Sequence, residues 1–297
     1  MPWTGNRQYQ CVPQSSFARP KPFRPLAGST CVTSLDSLAA MFIDLHGVKH
    51  HYISKGEGPP IVLVHGLGGS LHVWWGVIEC LALHHHVVAL DLRGSGRSDA
   101  GRGAFSVQGW ARDVAALIST LELPAVTLVG HSLGTLIAQQ TALDHSEAVD
   151  NLVLVGGISW FEPPTKELYL KRAELVESEG MDALVDDWLP GAISPRNRAT
   201  HPQLVGLLRD LFLRNNPTSY AKACRAIANA SSIQREDIGQ PTLLIVGDHD
   251  RSTPIAMTEE LHREIPVSRV RVIANAAHWL TLEQPDEVSA AILEFLT

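Results

Sequence analysis

Residues 126–135 read Val126-Thr127-Leu128-Val129-Gly130-His131-Ser132-Leu133-Gly134-Thr135. A β-branched, apolar run enters Gly-x-Ser-x-Gly and leaves it into a helical pattern from Leu133 to Leu143. A sharp strand-to-helix turn holds its tip residue in a strained conformation, and the residues two before and two after it must be nearly free of side chain. Gly130 and Gly134 meet that demand. The spacing therefore predicts Ser132 exposed at the carboxyl edge of a sheet, above the positive end of the following helix. Alone, the motif also fits an ordinary glycine-serine turn, so the rest of the chain has to decide.

Outward from this stretch, continuous apolar runs recur at Ile61 to Val64, Val87 to Leu90, Leu152 to Val155, Thr242 to Val246 and Val270 to Ile273. Runs of that kind are expected of strands buried on both faces. Phe42 to His46 and His51 to Ser54 flank Gly47 like a hairpin. Helical patterns lie between most of the runs, at Val107 to Leu121, Ala256 to Arg263 and Pro285 to Leu296. Alternation of this sort implies an α/β fold with a mostly parallel sheet of eight strands flanked by helices. The exception is 158–239, where helical segments (Lys166 to Glu179, Met181 to Leu189, Pro202 to Arg214, Ser219 to Ala230) are broken by Pro163, Pro190, Pro195 and Pro217. This region reads as a helical cap inserted after the sixth strand, leaving 41–157 and 240–297 as the core. Residues 1–40 carry several prolines and no carboxylate before Asp36, and read as a disordered leader, with Met41 a candidate start.

The 297 residues are 45% hydrophobic with a net charge of −7, which supplies no basic field for nucleic acid or an anionic membrane. A small-molecule partner is the natural expectation, with a homodimer possible. Cys11, Cys31, Cys80 and Cys224 are widely spaced and read neither as a disulfide framework nor as a zinc site. With no membrane-spanning run and no secretory signal, the expected compartment is the cytoplasm. His84-His85-His86 reads as a solvated loop rather than a metal site, because successive side chains of an extended segment point to opposite faces. No metal and no cofactor is expected.

A serine hydroxyl needs a base to take its proton, and the base needs an acid to fix its tautomer. Gly247-Asp248-His249-Asp250 ends one strand run, and Asn275-Ala276-Ala277-His278-Trp279 follows the next. The order Ser, Asp, His suits a hydrolase on a parallel α/β sheet, with all three groups just past strand ends. Pattern alone leaves Asp248 and Asp250 both open.

With His65-Gly66-Leu67-Gly68-Gly69, Asp91-Leu92-Arg93-Gly94-Ser95-Gly96-Arg97-Ser98 and Gly247-x-x-Asp250 in order around the elbow, residues 42–297 resemble the α/β-hydrolase fold superfamily. The resemblance implies Ser132 as nucleophile, His278 as base and Asp250 as acid, with Asp248 the fallback. It also implies an oxyanion hole from the backbone N–H groups of Leu67 and Leu133. Within the superfamily the chain is most similar to 3-oxoadipate enol-lactonases and related small esterases. The carrying residues include Leu136-Ile137-Ala138-Gln139-Gln140, Glu179 to Leu184 and Tyr220 to Ile227. Thr135 departs from the pattern, since many relatives have a second glycine there. The implied activity is hydrolysis of a small carboxylic ester or lactone through an acyl-enzyme. The alternatives are a carbon–carbon hydrolase of ring-cleavage products, or a ligand receptor on the same scaffold. Trp160 is the candidate substrate contact; Trp74, Trp75 and Trp188 could line an acyl pocket or pack in the core or cap. An enol-lactone acid would further require a cation, with Arg172 and Arg225 as candidates. His65 and His131 are expected to pack and hydrogen-bond rather than carry protons.

Overall fold

The computed structural model describes residues 41–159 and 163–297. Trp160 and residues 1–40, which the sequence reads as a leader, lie outside the described residues. Strand β1 (Met41–Leu45) turns through His46 and Gly47, both at positive φ, into β2 (Val48–Lys55). Two positive-φ residues are what a two-residue hairpin needs to match the strand twist. Then follow β3 (Pro60–Val64), α1 (Trp75–Leu81), β4 (His86–Leu90), α2 (Val107–Thr120), β5 (Val126–His131), α3 (Leu133–Asp144) and β6 (Val149–Val155). After β6 come five helices: α4 (Pro163–Glu179), α5 (Asp182–Ala192), α6 (Pro195–Thr200), α7 (Pro202–Leu213) and α8 (Pro217–Ala228). The chain closes with β7 (Thr242–Gly247), α9 (Ile255–Glu264), β8 (Ser268–Ile273), α10 (Leu280–Glu283) and α11 (Pro285–Leu296).

The strands form one eight-stranded sheet in the order β1-β2-β4-β3-β5-β6-β7-β8. Pairing is antiparallel from β1 to β2 and from β2 to β4, and parallel everywhere else. The expected mostly parallel α/β sheet is thus the observed one. Side-chain alternation sends Leu63, Val129, Val153 and Ile245 to one face, where Trp74, Trp279, Leu280 and Ile292 cover them. Val62, Val64, Leu128, Leu152 and Leu244 face the other way, onto Trp110, Val114, Ile137 and Leu261. Each buried leucine or valine of these layers contributes roughly 1.5–3 kcal/mol by leaving water. Two apolar faces on one sheet are why the strand runs are continuous rather than alternating.

Strands β3 and β5 are neighbours, yet β3 leads to β4 on one side and β5 to β6 on the other. Their outgoing loops diverge and leave a crevice at the carboxyl ends, the place where ligands bind in such sheets. Two sequence expectations need correction. The run at Val270 to Ile273 does not mark a doubly buried strand: β8 is a sheet edge, with Val270 and Val272 40% and 45% exposed. Pro190 does not end its helix, because α5 continues through it to Ala192. So near the carboxyl end, the ring removes only a donor of the last turn.

Candidate active site

The elbow after β5 is as tight as its glycines imply. A Cβ on Gly130 would collide with the Gly134 carbonyl, and one on Gly134 with the Val64 carbonyl. Between them Ser132 has φ 52° and ψ −117°, a strained position for a residue with a side chain. Strain of this kind costs about 1–3 kcal/mol and persists only where surrounding structure imposes it. Here the Ser132 N–H donates to the Val155 carbonyl at 3.0 Å. Thr135, the departure from the family pattern, is fully buried and stitches the turn. Its hydroxyl donates to the Ser132 carbonyl at 2.6 Å and accepts from the Ile158 N–H at 3.1 Å.

Ser132 Oγ lies 2.9 Å from His278 Nε2, and His278 Nδ1 lies 2.9 Å from Asp250 Oδ2. Donation from Nδ1–H to the carboxylate leaves Nε2 free to accept from the serine. His278 and Asp250 are each only 6% exposed. Asp250 divides its two oxygens. Oδ1 accepts the N–H groups of Ser252 and Thr253 at 2.8 and 2.9 Å, while Oδ2 faces His278 and accepts the Thr253 hydroxyl at 2.8 Å. Burial by itself would raise the Asp250 pKa; the His278 ring, its hydrogen bond and the Thr253 groups outweigh burial and hold the carboxyl below its usual range. Asp248 stands elsewhere, accepting from the Ala276 N–H at 3.2 Å. The geometry therefore sets Asp250, not Asp248, against the histidine.

Leu67 lines the same cavity as Ser132 and His278, and Leu133 opens α3 directly after the serine. Neither N–H donates to a protein acceptor among the described residues. The loop carrying Leu67 is held by its neighbour: His65 Nδ1–H donates to the Gly66 carbonyl at 2.8 Å, and His65 Nε2 accepts the Leu92 N–H at 3.0 Å. Asp91 fastens the same region, accepting from the Leu71 N–H at 2.7 Å, the Arg97 N–H at 2.9 Å and His51 Nδ1 at 2.7 Å. On the far side, the buried Glu283 accepts from the N–H groups of Ala277 and Ser194 at 2.7 and 2.8 Å, tying the His278 loop to the approach of α6.

His131 is fully buried between the elbow and the His278 loop. Its Nε2–H donates to the His278 carbonyl at 2.8 Å, and its ring lies 5.0 Å from that of His278 and 4.9 Å from that of Trp279. Burial first, and repulsion by His278 second, pull its pKa from 6.5 down to about 3. His65 is lowered too, mainly by burial. Both stay neutral in the fold at neutral pH. An unfolded chain protonates its histidines readily below pH 6.5, so the contribution of His131 to stability is complete above 6.5 and is lost as pH falls towards about 3. The full loss is on the order of 5 kcal/mol. Urea unfolding between pH 7 and pH 4.5 should accordingly show a steeper decline for the wild type than for His131→Gln; parallel declines would contradict this.

The cavity in front of Ser132 has a volume of about 270 Å³ and is closed by residues of α4, α5, α7 and α8, among them Tyr169, Trp188, Phe212 and Tyr220. Trp188 stacks on Phe212 at 4.9 Å. Of the other tryptophans considered from sequence, Trp74 is core and Trp75 is exposed. Arg172 lines the cavity, whereas Arg225 is engaged with Glu177 at 2.6 Å. Sequence reasoning missed Tyr169, Phe212, Tyr220, Trp279 and Thr253. Only Trp279, next to His278, carried a positional signal. His86, the last of the histidine triplet, opens β4 and bonds the Ser54 hydroxyl at 2.7 Å.

A sequence profile described as the α/β-hydrolase fold matches residues 59–285. Among curated proteins, the chain is 28% identical to (E)-2-((N-methylformamido)methylene)succinate hydrolase of Acinetobacter baylyi, over 83% of this chain and 93% of that one. Among solved structures, the enol-lactonase from Burkholderia xenovorans LB400 superposes with a TM-score of 0.82 at 28% identity, covering 86% of this chain and 99% of that one. A thermophilic esterase from Thermogutta terrifontis, solved with malate bound, gives 0.81 at 28% identity over 86% and 96%. No helix among the described residues is long and apolar enough to cross a membrane. With the profile spanning most of the chain, and the elbow built as that fold requires, the protein belongs to the α/β-hydrolase fold family.

Proposed function

We propose that the protein is a serine hydrolase that cleaves a small carboxylic ester or lactone through an acyl-enzyme. The observation that carries the reading is the unbroken line from Asp250 Oδ2 through His278 to Ser132 Oγ, with both contacts at 2.9 Å and the serine opening on a cavity of about 270 Å³. His278 Nε2 takes the hydroxyl proton as Oγ bonds to the carbonyl carbon, and Asp250 stabilises the imidazolium. The N–H groups of Leu67 and Leu133 receive the negative oxygen, which exists only near the transition state. His278 then protonates the departing alkoxide as the C–O bond breaks. A water molecule, deprotonated by the same ring, attacks the acyl-serine and releases the acid. The helices from α4 to α8 act as a cap that sets substrate size and limits water.

Similarity at 28% identity to an enol-lactonase and an esterase supports an ester or lactone carbonyl as the target. The test is turnover of short p-nitrophenyl esters and small lactones by the purified protein, followed by absorbance and product mass. Hydrolysis of either class is the expected result, and the ratio between them fixes the branch. A folded protein that turns over neither would overturn the reading.

A further inference from the structure

The cavity in front of Ser132 has a second chemical end. Five aromatic residues, Tyr169, Trp188, Phe212, Tyr220 and Trp279, line it together with Leu67 and Leu168, and Arg172 of α4 stands among them. The guanidinium carbon lies 5.5 Å from the centre of the Tyr169 ring, close enough for a cation–π contact that helps hold the group in place. Its Nε is buried and has no hydrogen-bond partner among the described residues. Nor does Arg172 form an ion pair among them, although Arg93, Arg209, Arg225, Arg235 and Arg271 each have an acidic partner. No Asp or Glu appears among the described residues that line the cavity.

Among the described residues, the nearby titratable groups provide no counter-charge either. Burial pushes the Tyr169 hydroxyl and the Cys224 thiol up to about 12 and the Tyr220 hydroxyl well above its ordinary value. All three are neutral at pH 7. Arg172 as a whole is half-buried, but its Nε is not reached by solvent, and an unpaired buried donor is rare enough to call for a ligand. Arg251 also lines the cavity but is exposed, where water and salt screen it.

We infer that Arg172 is a specificity residue that binds a carboxylate carried by the substrate, so the preferred substrates are short anionic molecules such as half-esters of dicarboxylic acids or carboxylated lactones. The inference rests on the hydrolase reading above and adds the far end of the substrate to it. The guanidinium fork matches a carboxylate with paired charge-assisted hydrogen bonds, which the flat aromatic wall cannot supply. The aromatic residues then cover the carbon skeleton between that anion and the carbonyl at Ser132. A volume of about 270 Å³ lies below the roughly 300–1,000 Å³ of drug-sized sites, which keeps the skeleton short.

The test compares monomethyl glutarate with methyl pentanoate, an anionic and a neutral ester of similar length, by proton release. The wild type should favour the glutarate in kcat/KM, and added salt should shrink that preference. Arg172→Met should lower the anionic-to-neutral ratio by about 10- to 100-fold, the range of a hydrogen bond to a charged group. Arg172→Lys should retain part of it. Arg225→Met, a change outside the cavity, should leave the ratio in place. Hydrolysis of both esters with no anionic preference, or with the same ratio in Arg172→Met, would overturn the assignment of Arg172 and leave the hydrolase reading standing. If neither ester is cleaved, glutarate binding measured by calorimetry decides: binding lost in Arg172→Met upholds the anion site, and equal or absent binding rejects it. In that case the hydrolase reading is judged separately on the p-nitrophenyl esters and lactones.

Discussion

Ser132→Ala is expected to lower ester or lactone hydrolysis by about 10⁴- to 10⁶-fold while leaving the fold intact, because the nucleophile, the base and the acid act as one unit. Removing Oγ takes away the atom 2.9 Å from His278 Nε2 and with it the covalent route. What remains is catalysis by the N–H groups of Leu67 and Leu133 and by binding alone, at most about 10³- to 10⁴-fold over water. Stability should change little or improve, since alanine removes one polar atom at a strained position without creating a cavity. The measurement is kcat/KM beside a thermal melt. Activity within about tenfold of wild type would mean that another group attacks the substrate.

Asp250→Asn is expected to cost about 10⁴-fold in kcat, the scale of a triad acid changed to its amide. The carboxylate has two tasks, and the amide can do only one. Its oxygen can still accept from the Ser252 and Thr253 N–H groups at 2.8 and 2.9 Å, so the turn after β7 should hold. Its NH₂ then faces His278 Nδ1, where two donors meet and the ring is driven to the wrong tautomer. Because the pKa of Asp250 is held below its usual range, the wild-type carboxylate stays charged throughout neutral pH, and the loss should not be recovered by raising the pH. Asp248→Asn is the control. Asparagine keeps the acceptor for the Ala276 N–H at 3.2 Å, and activity should stay within about threefold of wild type. The reverse ranking of the two variants would move the acid to Asp248.

The centre of the sheet was legible because strands β3 to β7 bury both faces, so their apolar runs are unbroken, and because Gly130 and Gly134 are demanded by backbone contacts that no other residue would survive. The same logic overreached at β8, where Val270 and Val272 read as core but lie on the sheet edge. Apolar composition says that a strand exists, not which neighbours cover it. Short helices such as α1, α6 and α10 escaped because four to seven residues do not complete the two turns that a periodic pattern requires.

Ser132 and His278 could be picked out because each sits just past a strand end, where position in sequence maps directly onto position in space; position left Asp248 and Asp250 level, and only the family resemblance favoured Asp250. The cavity wall could not. Phe212 and Tyr220 come from different helices, and their meeting with Trp279 depends on how α7 and α8 pack rather than on any local spacing. Arg172 and Arg225 looked equivalent in sequence. Only the packing places one in the wall of the serine's cavity and pairs the other with Glu177.

The most direct test of the serine mechanism is intact mass and peptide mapping after reaction with a fluorophosphonate, which bonds to an activated serine and releases fluoride. One adduct on Ser132, formed by the wild type and greatly slowed in Asp250→Asn, is the predicted result. No adduct, or an adduct on another residue that accompanies loss of activity, would contradict the account.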